Sequence, residues 1–271
     1  MYSLGCIGRR TDDMKVRTFP CKLSRTQLRN LYSAMRTLLF RDLGTIDYLS
    51  ALALQEKLLE RRRAGGLADI LLMLEHPHVF TSGRGGKEQH LLSPGAIPCY
   101  RTSRGGDMTY HGPGQIVVYP VIDLRSLLRK AVHAYLRGLE EVTMTTLQRF
   151  GISARRTPPW SGLWIENRKI ASVGIAVRRQ VSCHGLALNV STDLSYFNRI
   201  VPCGLTWAQM TSMEKELGKH VSLRAVKDAW VHDFVAQFGY EKLEELCPAD
   251  IQIGLKSKLP AVPTISVSNG F

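Results

Sequence analysis

Long apolar runs are missing from this chain of 271 residues. The stretch Ile70 to Leu74 is flanked by Asp69 and Glu75 and falls far short of the roughly 18 residues that span a bilayer, so no membrane partner is expected. Residues 1 to 34 lack the apolar core of a secretory signal. The six cysteines, at positions 6, 21, 99, 183, 203 and 247, form neither a Cys-x-x-Cys pair nor a disulfide-dense framework, and they read as reduced thiols in a cytoplasmic compartment. There is no phosphate-binding Gly-Lys loop, no internal repeat, and no helix-turn-helix, zinc-finger or RNA-recognition signature. His76 and His78 flank Pro77 without a third ligand at a recognisable spacing, so they read as a strand-end loop and no metal is expected. Acidic residues are scarce: 23 Asp and Glu stand against 36 Lys and Arg, a formal net charge of +13. Such a surface favours an acidic partner or is simply well solvated. Without basic residues clustered among aromatics, nucleic acid is not expected.

What the chain does have is concentrated in three blocks. Arg104-Gly105-Gly106-Asp107-Met108-Thr109-Tyr110-His111-Gly112-Pro113-Gly114-Gln115 leads into the apolar run Ile116 to Val121. Glycines permit positive φ and close approach of another molecule to the main chain, while Pro113 fixes φ and removes a donor, so this segment predicts a shaped loop entering a buried strand. By itself such a loop equally suits plain turn-making. The second block is Lys169-Ile170-Ala171-Ser172-Val173-Gly174 followed by Cys183-His184-Gly185-Leu186-Ala187-Leu188-Asn189-Val190, and the third is Pro202-Cys203-Gly204-Leu205. Flanked by proline and glycine, Cys203 is set in a turn that presents its thiol rather than packing it.

Together, in this order and spacing, the blocks resemble the lipoyl(octanoyl) transferases, which move an octanoyl group from acyl carrier protein to a lysine of lipoate-dependent enzyme subunits. The resemblance runs from about Met35 to about Leu246. It implies that Cys203 carries the acyl group as a thioester, that Lys169 tunes the cysteine, and that the acyl pocket is built from Arg104 to His111, Ser172-Val173-Gly174 and Gly185-Leu186-Ala187. The implied partners are octanoyl-acyl carrier protein as an acidic donor, and as acceptors the lipoyl domains of 2-oxoacid dehydrogenase E2 subunits and the glycine cleavage H protein. Neither ATP nor a metal is implied as cofactor.

Periodicity outlines the body. Thr45 can cap a helix running to about Arg63, with Ile46, Leu49, Ala53 and Leu52 inward. Ile70 to Leu74 and Ile116 to Ile122 read as buried strands, and Leu127 to Phe150 as the longest helix, ended by Gly151. Ser161 to Glu166, Ile170 to Val177 and Val181 to Val190 read as successive strands, the last two antiparallel across Arg178-Arg179-Gln180, and Leu223 to Phe238 as a closing amphipathic helix. The residues support a mixed α/β or α+β domain with one sheet under helices. The resemblance implies the biotin/lipoate protein ligase-like catalytic domain.

Three regions follow: residues 1–34 as a disordered basic arm, 35–246 as the catalytic domain, and 247–271 as a loose tail. The arm carries Arg9, Arg10, Lys15, Arg17, Lys22, Arg25 and Arg29 against Asp12 and Asp13, and Met14 to Arg41 lacks acids altogether. That composition suits a mitochondrial transit peptide, but Met35 begins a segment shaped like the family's opening strand, so the arm is better explained as lying upstream of the true start.

The chemistry requires thiolate, since an unperturbed thiol titrates at about 8.5. Lys169 as ammonium supplies the neighbouring cation and can protonate the leaving thiol; in its neutral form it can accept a proton from the acceptor amine. Gly204 and the loop around Gly106 are candidate oxyanion donors. Tyr110 and His111 are expected to shape or close the pocket, and His184 is either a structural strand histidine or a residue near the acyl chain. Two rival readings use the same residues: an ATP-dependent lipoate ligase, and a cysteine hydrolase pairing Cys203 with His184.

Overall fold

The computed structural model describes residues 36–127, 132–255 and 262–265. The expectations for the basic arm and for Met35 lie outside the described residues. Nine strands form the main sheet. Strand β12 (Lys242–Glu245) lies parallel to β1 (Thr37–Thr45), which lies parallel to β2 (Asp69–Glu75). From β2 the order runs through β6 (Gln115–Val121), β10 (Val181–Asn189), β9 (Arg168–Arg178), β8 (Trp160–Ile165) and β7 (Arg155–Thr157), each antiparallel to the last. The two-residue β11 (Gln209–Met210) pairs parallel with β9 beside Lys169. A small second sheet holds β4 (Cys99–Arg101), β3 (Val79–Ser82) and β5 (Met108–His111).

The strand readings hold, and the turn between β9 and β10 is the basic one, with Arg179 and Gln180 both at positive φ. Hydrophobic alternation splits the sheet residues between two cores. Ile170, Val173, Ile175, Leu186 and Leu188 join the core covered by helix α3 (Val132–Arg149) and helix α5 (Leu223–Phe238), into which the short helix α4 (Met213–Leu217) also packs Met213. Ala176, Ala187, Val117 and Tyr119 join the core under helix α1 (Tyr48–Arg63).

Helix α1 differs from expectation in two respects. Strand β1 continues through Thr45, so Thr45 is not the cap of α1; the Asp47 carboxylate accepts from the Ser50 N–H at 3.0 Å and takes that role, because an acidic side chain one residue before the helix satisfies an orphan N–H. Helix α1 also buries more than the expected stripe. Ala51, Leu54 and Leu58 are fully covered while Leu49 is only half-buried. Leu124–Leu127 forms the helical turn α2; the long helix is described from Val132 and ends as expected at Gly151, where φ is +81° and the Ile152 N–H reaches Leu147 O.

The tail was expected to be loose, and its described part is not. Pro248–Leu255 forms helix α6, which packs Ile251 into the α1 core and pairs Asp250 with Arg61. Residues 262–265 hydrogen-bond along β4, with Ile265 N–H to Cys99 O at 2.8 Å and Arg101 N–H to Pro263 O at 2.9 Å. Proline and serine content suggested disorder, but Ile251 and Ile265 find apolar cover. Cys99, Cys183 and Cys203 are free thiols.

Helices α3 and α5 meet closely at Gly138, where an added Cβ would lie 2.7 Å from the Phe238 ring. Alanine there gains up to about 1 kcal/mol of helix propensity but overpacks a buried contact at a cost of about 1–3 kcal/mol. Gly138→Ala is therefore expected to destabilise the protein by about 1 kcal/mol in denaturant titration.

Candidate active site

Side chains alternate along a strand, so Lys169 would ordinarily share a face with Ala171 and Val173, against the α3/α5 core. A β-bulge prevents this. Leu163 pairs with Ala171 but its successor Trp164 pairs with Lys169, which inserts Ile170 as an extra residue in β9. The slip turns Lys169 to the face that carries Ser172 and Gly174. The glycine at 162 completes the arrangement: its φ is +102°, and a Cβ there would lie 2.8 Å from Lys169 Cε and 2.4 Å from Ala171 O. Buried Glu140 holds that backbone in place, accepting from the Gly162 N–H at 2.9 Å and from Arg156 Nε at 3.0 Å.

Cys203 arrives from the far side of the sequence. It sits in the turn Pro202–Gly204 with φ +57°, ψ +17°, a left-handed conformation costly for a residue with a Cβ. The turn is braced from both ends. The Val201 N–H donates to His90 O at 2.8 Å, and a Cβ on Gly204 would lie 2.7 Å from Asp107 Oδ2, which itself meets His90 Nδ1 at 2.7 Å. The sulfur then lies 2.9 Å from Lys169 Nζ. Lys169 is 3% exposed, no carboxylate pairs with it among the described residues, and its ammonium lies 5.2 Å from the centre of the Trp164 ring. Neighbouring Arg168 points away to Glu216 and Glu166.

One cavity of about 250 Å³ joins these two side chains to the predicted pocket. It is lined by Arg104, Gly105, Gly106, Asp107, Met108, Thr109 and His111, by Ser172, Val173 and Gly174, and by Gly185, Leu186 and Ala187. Tyr110 does not join them: its ring stacks on Tyr196 at 5.0 Å and its hydroxyl meets His78 at 2.7 Å, as alternation along β5 requires when His111 faces the cavity. Arg104, buried, donates to Thr81 O at 2.6 Å and to Gly105 O at 3.0 Å, so it holds the loop's shape from within. The Gly204 N–H is bonded to Val201 O at 3.1 Å, which removes it as an oxyanion donor. Among the described residues the Gly106 N–H has no protein acceptor and stays available. Sequence reasoning missed Tyr48, Tyr119, Trp160 and Trp164, since nothing near them in the chain marks them as parts of the three blocks.

His76 and His184 are held by hydrogen bonds. His76 uses Nδ1 on Ile46 O and Nε2 on the Tyr119 hydroxyl, both at 2.8 Å, and among the described residues no three His, Cys, Asp or Glu side chains are arranged to hold a metal. His184 Nε2 meets Ser103 Oγ at 3.0 Å, and the group on Cys203 Sγ is the Lys169 amine rather than an imidazole, so the structure shows no Cys203–His184 hydrogen bond for the hydrolase reading to use. No helix of the described residues is long and apolar enough to cross a membrane.

With the geometry in place, residues 47–235 match the family model described as the lipoyl protein ligase A/B catalytic domain. A protein of Solibacter usitatus named octanoyltransferase is 49% identical over 215 residues, covering 77% of this chain and 96% of that one. The chain belongs to the octanoyltransferases. Another octanoyltransferase, of Geotalea uraniireducens, is 48% identical and covers 69% of this chain and 86% of its own. The fold is shared with a lipoate-protein ligase A solved with ATP, at TM-score 0.66 and 17% identity over 82% of this chain and 93% of that one. As an octanoyltransferase the protein is an acyltransferase with the catalytic fold of the lipoate ligases, as its sequence blocks led us to expect.

Gly162→Ala adds a methyl group between Ala171 O and Lys169 Cε at a strained φ, so transfer activity is expected to fall at least about tenfold, a loss of at least about 1.4 kcal/mol of transition-state stabilisation. Burial lowers the pKa of His76 to about 4 and those of His111 and His184 to about 3. Unfolded, each takes up a proton near 6.5, so the unfolded chain binds more protons between the two values. The contribution is fully present above about pH 6.5 and is lost as pH falls toward 3 to 4. Denaturant midpoints should therefore drop from pH 7 to pH 5, with an uptake of up to about three protons on unfolding at the lower pH.

Proposed function

We propose that this enzyme transfers an octanoyl group from octanoyl-acyl carrier protein, through a thioester on Cys203, to a lysine of lipoyl domains such as those of 2-oxoacid dehydrogenase E2 subunits and the glycine cleavage H protein. The observation that carries this reading is the 2.9 Å contact between Lys169 Nζ and Cys203 Sγ at the edge of a pocket built from small residues. In the first half-reaction Lys169 takes the thiol proton and Cys203 Sγ attacks the donor thioester carbonyl. As the tetrahedral oxyanion collapses, the bond to the carrier's sulfur breaks and the Lys169 ammonium protonates that sulfur. In the second, the acceptor amine attacks the acyl-cysteine, its proton passes to Lys169, and the C–S bond breaks to return the proton to Cys203 Sγ.

Thioester exchange is close to neutral in free energy, and conversion of a thioester to an amide runs downhill, so the scheme needs neither ATP nor a metal. The Gly106 N–H is the candidate oxyanion donor, and Arg104 keeps its loop in position. The positive charge of the chain favours an acidic carrier as donor through steering of the encounter. A cytoplasmic bacterial enzyme is the compartment this reading supports.

The test is transfer to a lipoyl domain from octanoyl-carrier protein with ATP removed. Wild type should turn over, Cys203→Ala should be inactive, and Lys169→Ala, folded to the same thermal midpoint, should lose at least about a hundredfold, within the range expected of a lost general acid–base. Transfer that persists in Cys203→Ala, or that requires ATP and free octanoate, would contradict the proposal.

A further inference from the structure

His184 breaks the rule of its strand. It lies within β10, paired with Ile175 of β9, yet its φ is +56°, in the left-handed region. Regular alternation would send its side chain to the α3/α5 face with Leu186 and Leu188. The altered backbone instead brings the ring to the cavity, where it meets Tyr119 edge-on at 6.5 Å and hydrogen-bonds Ser103 Oγ at 3.0 Å. The strain is held in place by the α1 side chain Gln55, whose Oε1 accepts the His184 N–H at 2.9 Å. Arg178 Nη2 fixes the same Ser103 hydroxyl at 3.1 Å. The imidazole is 3% exposed and kept neutral by burial, so it presents no charge to an apolar ligand.

Its position along the sheet gives this a meaning. Lys169 and Ile175 are six residues apart on β9, but the lysine leans along the strand: a Cβ on Gly162, which the register sets level with Ser172, would lie 2.8 Å from Lys169 Cε. From Ser172 to Ile175, the partner of His184, is three residues, about 10 Å of strand and roughly the extended length of an eight-carbon acyl chain. Between Lys169 and His184 the cavity face carries only Ser172 opposite Ala187 and Gly174 opposite Gly185. At one end of this row of small residues are Lys169 and Cys203; at the other stands His184.

Resting on the acyl-thioester reading of the site, we propose that His184 is the end wall of the acyl slot, a specificity-determining residue that stops the chain at medium length. The acyl carbonyl lies at Cys203, the alkyl chain runs over Ser172, Gly174, Gly185 and Ala187, and its terminal methyl abuts the imidazole face. No proton transfer is assigned to His184: its Nε2 is committed to Ser103, at the opposite end from the sulfur.

The test is His184→Gly. Glycine adopts φ +56° without strain, so the variant should fold with a Tm within about 5 °C of wild type while the slot lengthens by the volume of a ring. Octanoyl-, decanoyl- and dodecanoyl-carrier protein are compared by kcat/KM, and binding of free octanoate, decanoate and dodecanoate is measured separately on the Cys203→Ser protein with and without His184→Gly. Expected is a rise of about tenfold in the decanoyl-to-octanoyl ratio, the gain two newly buried methylenes provide, with the same order in fatty-acid binding. An unchanged ratio in a folded variant, or an equal loss at every chain length, overturns the inference. His184→Asn, which also tolerates left-handed backbone, carries the same comparison if the glycine variant does not fold. If wild type accepts no carrier-bound acyl group, the donor reading fails, while the fatty-acid series still decides the role of His184.

Discussion

The structure is organised around the burial of one ammonium group. A lysine taken out of water without a carboxylate partner is costly, and proteins accept this only where something else satisfies the charge. Here the partners are a sulfur at 2.9 Å and the face of Trp164 at 5.2 Å. Among the described residues no carboxylate reaches the amine, so a thiol and an indole face are what it has in place of a salt bridge. The bulge at Ile170, the missing Cβ at Gly162, the Glu140 carboxylate behind it and the left-handed Cys203 all serve this contact. Each is locally unfavourable or irregular, and each would be simpler if the two side chains did not have to meet.

The rest of the pocket follows from what two faces of one sheet require. The α3/α5 face takes the branched residues of β9 and β10, leaving glycine, serine and alanine for the α1 side, where a chain can lie close to the backbone. Arg104 carries a charge into this apolar setting but uses it on Thr81 O and Gly105 O, so the positive group stiffens the loop that covers the slot. The same loop is clasped from outside by the Arg84 and Gly85 N–H groups, which donate to Arg104 O and Gly106 O at 3.0 Å. Pocket and nucleophile turn thus share a frame, since Asp107 at the end of the loop is the residue against which Gly204 rests.

Much of this was legible in the chain because glycine and proline are informative where backbone shape matters, and strand alternation is informative where one face is buried. The blocks around Arg104, Lys169 and Cys203 converge on one cavity, and β2, β6, β9, β10 and α5 lie where periodicity put them. What escaped depends on partners distant in sequence. Tyr110 sits in the middle of a site block yet faces Tyr196, because a run of eight residues that ends as a strand cannot turn every side chain the same way. Trp164 under Lys169 is an ordinary strand tryptophan until the bulge is known. Gly204 suggested a free N–H but closes its own turn on Val201. The tail helix owes its order to α1, a surface about 190 residues earlier that no local composition could reveal.

The central claim is that the Lys169 amine acts on the Cys203 sulfur, and it is read most directly from the chemistry of that sulfur alone. The rate of Cys203 alkylation by iodoacetamide at neutral pH, located by peptide mass spectrometry, should fall at least about tenfold when Lys169 is replaced by Met in a protein of unchanged fold, because thiolate and not thiol is the reacting form. Equal alkylation rates with and without the amine would mean that the two groups are merely neighbours, and would contradict the account.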